Sequence, residues 1–435
     1  MKKITAGLLI IILMLGTLSA PFAVAEMEPV PEHKAQNVIM VNRNTGAVVY
    51  EQAADEKIYP ASTTKIMTIT LAAEMLKDMD ESVTVSETFN DDLIPGSSGI
   101  ALKPGEILSV RDLFYATAIA SANDASNVLA ERAAGSREEF IKLMNKKAKE
   151  LGCKGTNFAN THGLPDEDHY TTARDMMLIM RYALKNDWFR KLASTYAYTI
   201  EATNKSERRA MSTTNSLISS VSAGYYRYAC GGKTGTTTAA GYNLISWASK
   251  GDMDFILVAM HAEKTPGSSN PIFKDSKALY TWAFDNFSYQ KIVDPDTPQI
   301  EIPVKLSAEK DFVVLCAKES LSAILPNETD LSTLTYKKDV PEEILAPITK
   351  GDVYGTLTIE KDGIVYGKTD LVANADVSRS AVLYYLYCIR KFFENLWVRI
   401  IGSILLVLLI IYIILMIRNN RRRRKLPRFK SRLKY

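Results

Sequence analysis

Apolar and polar positions change period several times along the chain, and each change marks an element. "NVIMVNRNTGAVVYEQ", Asn37 to Gln52, sets two short apolar runs around Asn-Thr-Gly, which predicts two strands joined by a turn. From Ile66 to Leu76 nearly every position is apolar, the pattern of a helix buried on all sides. "SVRDLFYATAIASANDASNVLAERAA" has helical spacing on both sides of a Ser-Ala-Asn-Asp interruption. "SREEFIKLMNKKAKELG" opens with a Ser–Glu capping box, keeps apolar residues three and four apart, and closes on glycine. "TTARDMMLIMRYALKN" predicts another helix. "CGGKTGTTTAAGYNLISWASKGDMDFILVAMHA" predicts consecutive strands, with turn residues at Lys250-Gly251-Asp252.

Strand, helical middle and strands again predict an α+β domain whose sheet joins early and late chain, over about 30–292. Beyond Val293 the period shortens to two. "QIEIPVKL" alternates strictly, and "GTLTIEKDGIVYGKT" predicts a hairpin with Asp362-Gly363 at its tip. A small all-β domain over 296–378 follows from that pattern, and it holds no cluster of catalytic residue types.

The ends carry signals of another kind. Two lysines, an apolar stretch from Ala6 to Leu18 and Ala23-Val24-Ala25 have the layout of a secretory signal peptide, 1–25, cleaved after Ala25. Ile400 to Ile417 is uncharged and almost wholly apolar. As a helix it spans roughly 27 Å, close to the ~30 Å hydrocarbon core of a bilayer. Residues 400–417 are therefore expected to be a transmembrane helix. A linker at 380–399, with Tyr384, Tyr385, Tyr387, Phe392, Phe393 and Trp397, suits the membrane interface. The tail, 418–435, carries ten Lys and Arg between Arg418 and Lys434 and no acid, which predicts a cytoplasmic C-terminus with the body of the chain outside.

That tail also changes the meaning of the charge. The formal net charge is +4, yet without the tail the body is slightly acidic, which argues against nucleic acid as a partner. Composition, at 47% hydrophobic and 23% charged residues, is that of folded domains. Cys153, Cys230, Cys316 and Cys388 form no C-x-x-C pair, so zinc and dithiol chemistry are not indicated.

Candidate chemistry starts from one lysine. Lys65 sits one turn inside the predicted buried helix, and lysine is almost never fully buried without a partner. Ser62 lies three residues earlier, on the same helix face. Burial and a neighbouring cation both push an amine toward its neutral form, so Lys65 can serve as base for Ser62. Other routes lack support: no G-x-S-x-G elbow occurs, H-E-x-x-H is absent, and His162 and His169 stand seven apart in a turn-rich stretch unlike a metal site. No metal or other cofactor is expected. Ser-x-x-Lys alone is weak, because Ser288/Lys291, Ser307/Lys310 and Ser431/Lys434 match it too. What raises Ser62/Lys65 above these is Ser121-Ala122-Asn123 within the helix interruption and Lys233-Thr234-Gly235 opening a strand. A second S-x-N, Ser268-Ser269-Asn270, lies in a Pro/Gly-rich loop.

Ser-x-x-Lys, Ser-x-Asn and Lys-Thr-Gly in that order are the motif set of penicillin-binding proteins and class A β-lactamases. Between Asn37 and Phe287 the chain resembles the D-alanyl-D-alanine carboxypeptidases, the low-molecular-mass penicillin-binding proteins of serine peptidase family S11. The resemblance rests on "NTGAVVYEQ", "YPASTTKIMT", "GSSGIALKPGE", "IASANDASNVLAE", "NTHGLPDEDHYTTARDM" and "GGKTGTTTAAGYNLI". It implies a β-lactamase-like catalytic fold, an antiparallel sheet with a helical cluster. It also implies an acyl-enzyme on Ser62, with Lys65 as base and Ser121 passing a proton to the leaving amine. Asn123, Lys233, Thr234, Gly235 and Thr236 would bind substrate, a peptidoglycan stem peptide, and β-lactams would act as covalent inhibitors.

Two departures stand out. The second motif has alanine at its centre. Where many relatives carry a carboxylate-binding arginine, this chain has Ile272, with Lys264 and Lys274 nearby. Rival readings with the same motifs are a DD-transpeptidase or endopeptidase, a β-lactamase, and a non-catalytic cell-wall sensor. No Glu-x-x-Leu-Asn segment for lactamase deacylation is present.

Overall fold

β1 (Asn37–Asn42) and β2 (Val48–Gln52) form the predicted first hairpin. A 3₁₀ turn, Ala61–Thr64, leads into α1 (Lys65–Met75), in which Lys65 to Ala73 are all buried. The pair β3 (Ser82–Thr84) and β4 (Ile107–Ser109) precedes α2 (Val110–Ile119) and α3 (Asn123–Ala134), which flank the expected interruption. Next come α4 (Arg137–Glu150), α5 (Ala173–Ala183), α6 (Asp187–Ser194) and the hairpin β5 (Ala197–Ile200)–β6 (Arg209–Ser212). Three long strands follow, β7 (Ala229–Thr237), β8 (Gly241–Lys250) and β9 (Met253–Ala262), then α7 (Ile272–Asn286). This computed structural model describes residues 28–263, 270–361 and 364–424. The signal-peptide segment, Lys264, Ser268-Ser269, the Asp362-Gly363 tip, and Ser431/Lys434 with the rest of the tail from Lys425 lie outside the described residues.

The main sheet is antiparallel, in the order β2-β1-β9-β8-β7, so early and late chain do share it. Side chains alternate between two cores. Ile39, Val41, Ile245, Trp247, Ile256 and Val258 pack with the helices α1 to α6. Val38, Met40, Leu244, Phe255 and Leu257 pack against Leu279, Tyr280 and Ala283 of α7. A strand covered on both faces has no polar side to show, which is why "FILVAM" in β9 reads as an unbroken apolar run. β7 forms one edge of this sheet, where backbone groups stay free to pair with something else.

The chain divides into two compact units. One runs to Gln290 and also takes in Ala323–Asp330; the other consists of Lys291–Ser322 and the chain from Leu331 onward. The α+β character of the first is as the pattern predicts. Ala323–Asp330 joins it, with Ile324 buried in the same apolar cluster as Phe284 and Phe287, a placement that local alternation does not reveal. β10 (Phe287–Val293) leads out of the first unit, and β11 (Pro298–Lys305), β12 (Phe312–Ala317), β13 (Leu321–Pro326), β14 (Thr335–Asp339), β15 (Ile344–Leu345), β16 (Val353–Lys361) and β17 (Ile364–Ala373) follow. The second unit is built on a six-stranded sheet in the order β14-β16-β17-β12-β11-β15. The expected β16–β17 hairpin pairs out to Lys361 and Ile364.

After the sheet comes α8 (Ala381–Glu394), so most of the aromatic linker is helical. Then α9 (Leu396–Arg424) contains, within Leu396–Arg421, an 18-residue window of mean hydropathy 3.3, none of it buried. That helix is long and apolar enough to cross a membrane.

Candidate active site

Ser62 sits in a strained turn that several side chains hold in place. Ala61, just before it, has φ +49°, a left-handed conformation costing a non-glycine residue roughly 1–2 kcal/mol. Thr63 Oγ1 donates to the Pro60 carbonyl at 2.7 Å, and Thr64 Oγ1 donates to the Ala61 carbonyl at 2.8 Å. His169 Nδ1 accepts the Ala159 N–H at 2.9 Å, so its proton lies on Nε2, which donates to Thr64 Oγ1 at 2.8 Å. Gly163, at φ +92°, presses its backbone onto the same turn: a β-carbon there would lie 1.8 Å from the Ala61 carbonyl oxygen. No other residue type fits.

Lys65 is fully buried, and its Nζ has three neighbours. They are Asn123 Oδ1 at 2.7 Å, the His162 carbonyl at 2.7 Å and Ser62 Oγ at 3.0 Å. As an ammonium, Lys65 donates to all three. As a neutral amine, it keeps two protons on the two carbonyl acceptors and turns its lone pair to the Ser62 hydroxyl. Burial, and then the nearby Lys233 ammonium, hold the Lys65 pKa well below the usual lysine range, while the Asp124 carboxylate opposes them. A neutral Lys65 could therefore accept the Ser62 proton.

Ser121 occupies the break between α2 and α3 at φ +56° and accepts a hydrogen bond from Lys233 Nζ at 2.9 Å. Lys233 also donates to the Thr234 carbonyl at 3.1 Å, and its burial brings its pKa down to about 7. Asn123 begins α3 and donates its N–H to the Ser98 carbonyl at 2.9 Å. Beside it, the Asp124 carboxylate accepts the N–H groups of Ile100 at 3.0 Å and Leu102 at 3.1 Å, which ties the Ser98–Leu102 loop to the helix. β7 brings up the last motif. A β-carbon on Gly235 would lie 3.0 Å from each of Pro60 O, Ser62 N and Thr63 N, so only glycine lets the strand run this close. Thr234 Oγ1 is hydrogen-bonded to Thr214 Oγ1 at 2.5 Å. Thr236, exposed, continues the same edge.

Ser62, Lys65 and Asn123 thus form one contact cluster, Ser121 and Lys233 a second, and Gly235 lies against the Ser62 turn. Ser288 and Ser307, the other described matches to the first motif, belong to strand and loop segments outside this cluster. Ile272, in the position expected for an arginine, is fully buried in the α7 core. The sequence reading missed Gly163, Thr214, Asp124 and the His162 carbonyl; only "THGL", as a turn signal, pointed toward two of these. Both histidine rings are spent on structure. His162 Nδ1 accepts the Leu164 N–H at 3.2 Å, and Nε2 meets Asp92 Oδ2 at 3.2 Å.

The chain is similar to known proteins over most of its length. The family profile described as D-alanyl-D-alanine carboxypeptidase, peptidase S11, matches residues 23–264. A second profile, described as the C-terminal domain of penicillin-binding protein 5, matches residues 287–379. The chain is 34% identical over 395 residues to D-alanyl-D-alanine carboxypeptidase DacF of Bacillus subtilis, covering 89% of this chain and 97% of that one. It is 35% identical over 350 residues to DacC of Escherichia coli, covering 79% and 84%. Among solved structures, penicillin binding protein 5 from Haemophilus influenzae superimposes with a TM-score of 0.63 at 29% identity, over 81% of this chain and 100% of that one.

Proposed function

The chain belongs to the D-alanyl-D-alanine carboxypeptidase family and is a serine hydrolase of that family; on that premise we propose that Ser62 removes the terminal D-alanine from peptidoglycan stem pentapeptides through an acyl-enzyme. Lys65, as the amine, takes the Ser62 hydroxyl proton while Oγ attacks the carbonyl between the two D-alanines. Oxyanion charge develops on that carbonyl oxygen. The backbone N–H groups of Ser62 and Thr236 receive it, a contribution of ~3 kcal/mol per donor. When the C–N bond breaks, the proton returns through Ser121 to the leaving amine. Water then cleaves the Ser62 ester and releases the shortened peptide. The substrate lies along the open edge of β7, with Asn123 on its backbone and Lys233, Thr234 and Thr236 on its terminal carboxylate; Gly235 lets that edge run close to the Ser62 turn. Penicillins enter the same path and stay on Ser62.

The observation that carries this reading is the set of three partners around Lys65 Nζ, which leaves a neutral amine nothing but the Ser62 hydroxyl to accept from. Intact-mass analysis after penicillin treatment tests it. One adduct on the wild type and none on Ser62→Ala is expected, together with D-alanine release from a pentapeptide by the wild type alone. A wild type that neither forms the adduct nor releases D-alanine would leave the chain a binding protein. The same reading places the catalytic unit outside the cell, exported by the signal peptide. The apolar helix then anchors it and the basic tail remains in the cytoplasm.

A further inference from the structure

Asn243 takes no part in the chemistry above, yet its side chain is 1% exposed and fully engaged. Its two Nδ2 protons go to consecutive carbonyls, Tyr59 O and Pro60 O, each at 3.1 Å, and its Oδ1 accepts the His261 N–H at 2.8 Å. The strand pair is irregular at this point. Tyr242 pairs with Ala262 and Leu244 with Ala259, so Asn243 faces two residues of β9, and the second of them, His261, has φ +57°. A β-bulge of this kind re-aims a side chain, here toward the segment that leads into Ser62. On its other side the Asn243 backbone pairs with Gly235, and Tyr242 pairs with Thr236.

One residue therefore reaches both halves of the oxyanion hole. Its amide fixes the Tyr59–Pro60 segment that carries the Ser62 N–H, and its backbone register fixes the strand that carries the Thr236 N–H. We infer that Asn243 is a positioning residue that sets the gap between these two donors. The inference rests on the acyl-enzyme reading of Ser62 and Thr236. Without the amide, the Tyr59 carbonyl loses this donor and the Pro60 carbonyl keeps only those of Thr63, so the segment that sets the left-handed Ala61 and the Ser62 N–H is held less firmly.

The test compares acylation of the full-length protein in detergent by an acyl-D-alanyl ester and by its thionoester. The sulfur anion is larger and a poorer acceptor, so it draws less from a well-set pair of N–H donors. Asn243→Ala is expected to slow the oxygen ester roughly 10- to 100-fold, less than the ~100- to 1,000-fold cost of an outright lost oxyanion donor because the N–H is displaced rather than removed, and the thionoester much less. The wild-type preference for oxygen should fall at least about tenfold on the same ground, with the pH profile unmoved because both lysines are untouched. Asn243→Asp keeps an acceptor for His261 but sets a carboxylate against two carbonyls, so it should do no better. Equal slowing of both esters, or a lower Tm with an unchanged preference, would overturn the inference. Asn243→Ser gives the same readout if the alanine variant does not fold. Failure of the wild type to acylate at all would instead remove the serine mechanism, a result distinct from an unchanged ratio.

Discussion

Lys65 and Lys233 bury their ammonium groups against different serines, Ser62 and Ser121, and the charge on Lys233 lowers the proton affinity of Lys65. Two buried cations near each other are costly unless one gives up its proton. Lys65, with two strong acceptors and a hydroxyl, is the one arranged to do so.

The pH dependence of acylation follows from that relationship. Lys65 must be neutral, so the rate rises as pH passes its depressed pKa, and loss of the Lys233 proton at about 7 produces the falling limb. Lys233→Met removes a charge that lowers the Lys65 pKa, so the rising limb should move to higher pH. Asp124→Asn removes a charge that raises it, so the same limb should move to lower pH. Penicillin acylation rates measured across pH on the three proteins check both signs. Shifts in the same direction would contradict the assignment of Lys65 as base.

Gly163→Ala should all but abolish acylation. Its β-carbon would overlap the Ala61 carbonyl at 1.8 Å, and the Ser62 turn must move to admit it. A displacement of about 1 Å at a nucleophile costs on the order of 100-fold in rate. Gly152 is a matched control, since it also has positive φ, +85°, but nothing within 4 Å. Gly152→Ala should cost roughly 1–2 kcal/mol of stability with acylation unchanged. Stopped-flow acylation and denaturant unfolding on the two variants separate strain from steric displacement.

That contrast also marks what was legible in the sequence. Ser62 and Lys65 were found because they lie one turn apart on a helix whose burial shows in its composition. Ser121 and Lys233 were found through short motifs in a fixed order. Gly163, His169 and Asn243 act on Ser62 from 101, 107 and 181 residues further along the chain, and no periodicity links positions so far apart. The apolar runs of β8 and β9 announced strands, but the bulge that turns Asn243 inward depends on the φ of His261. The burial of Ile272 was similarly hidden, because one apolar residue at a helix start looks the same whether it faces core or cleft.

His169 should make the protein acid-labile over a defined range. Burial, then the His162 and Lys65 charges, bring its pKa from 6.5 down to about 3. Between those values the unfolded chain binds a proton that the folded chain does not. Stability therefore falls as pH drops from 6.5 toward 3, by up to ~1.4 kcal/mol per pH unit from this group. His169→Gln has no such titration and should show a shallower decline over that window, though it starts less stable at pH 7 if it loses the Thr64 contact. Urea midpoints at half-unit intervals measure the difference in slope. Parallel curves would mean that His169 is protonated in the folded protein.

Thr214 should affect binding of the substrate carboxylate through Thr234. Two hydroxyls 2.5 Å apart carry two protons, and their mutual hydrogen bond uses one. The other, polarised by its neighbour, is left to donate to an anion bound at the β7 edge. Thr214→Ala leaves Thr234 without that partner and should raise KM roughly 3- to 10-fold, the worth of one hydrogen bond of ~0.5–1.5 kcal/mol. Thr214→Ser keeps the hydroxyl and should stay near wild type. A peptide ending in D-alaninamide has no carboxylate, so its weaker turnover should be indifferent to either change. Kinetics on the acid and the amide with all three proteins decide the matter, and an equal loss on both substrates would show that Thr214 serves only the fold of its loop.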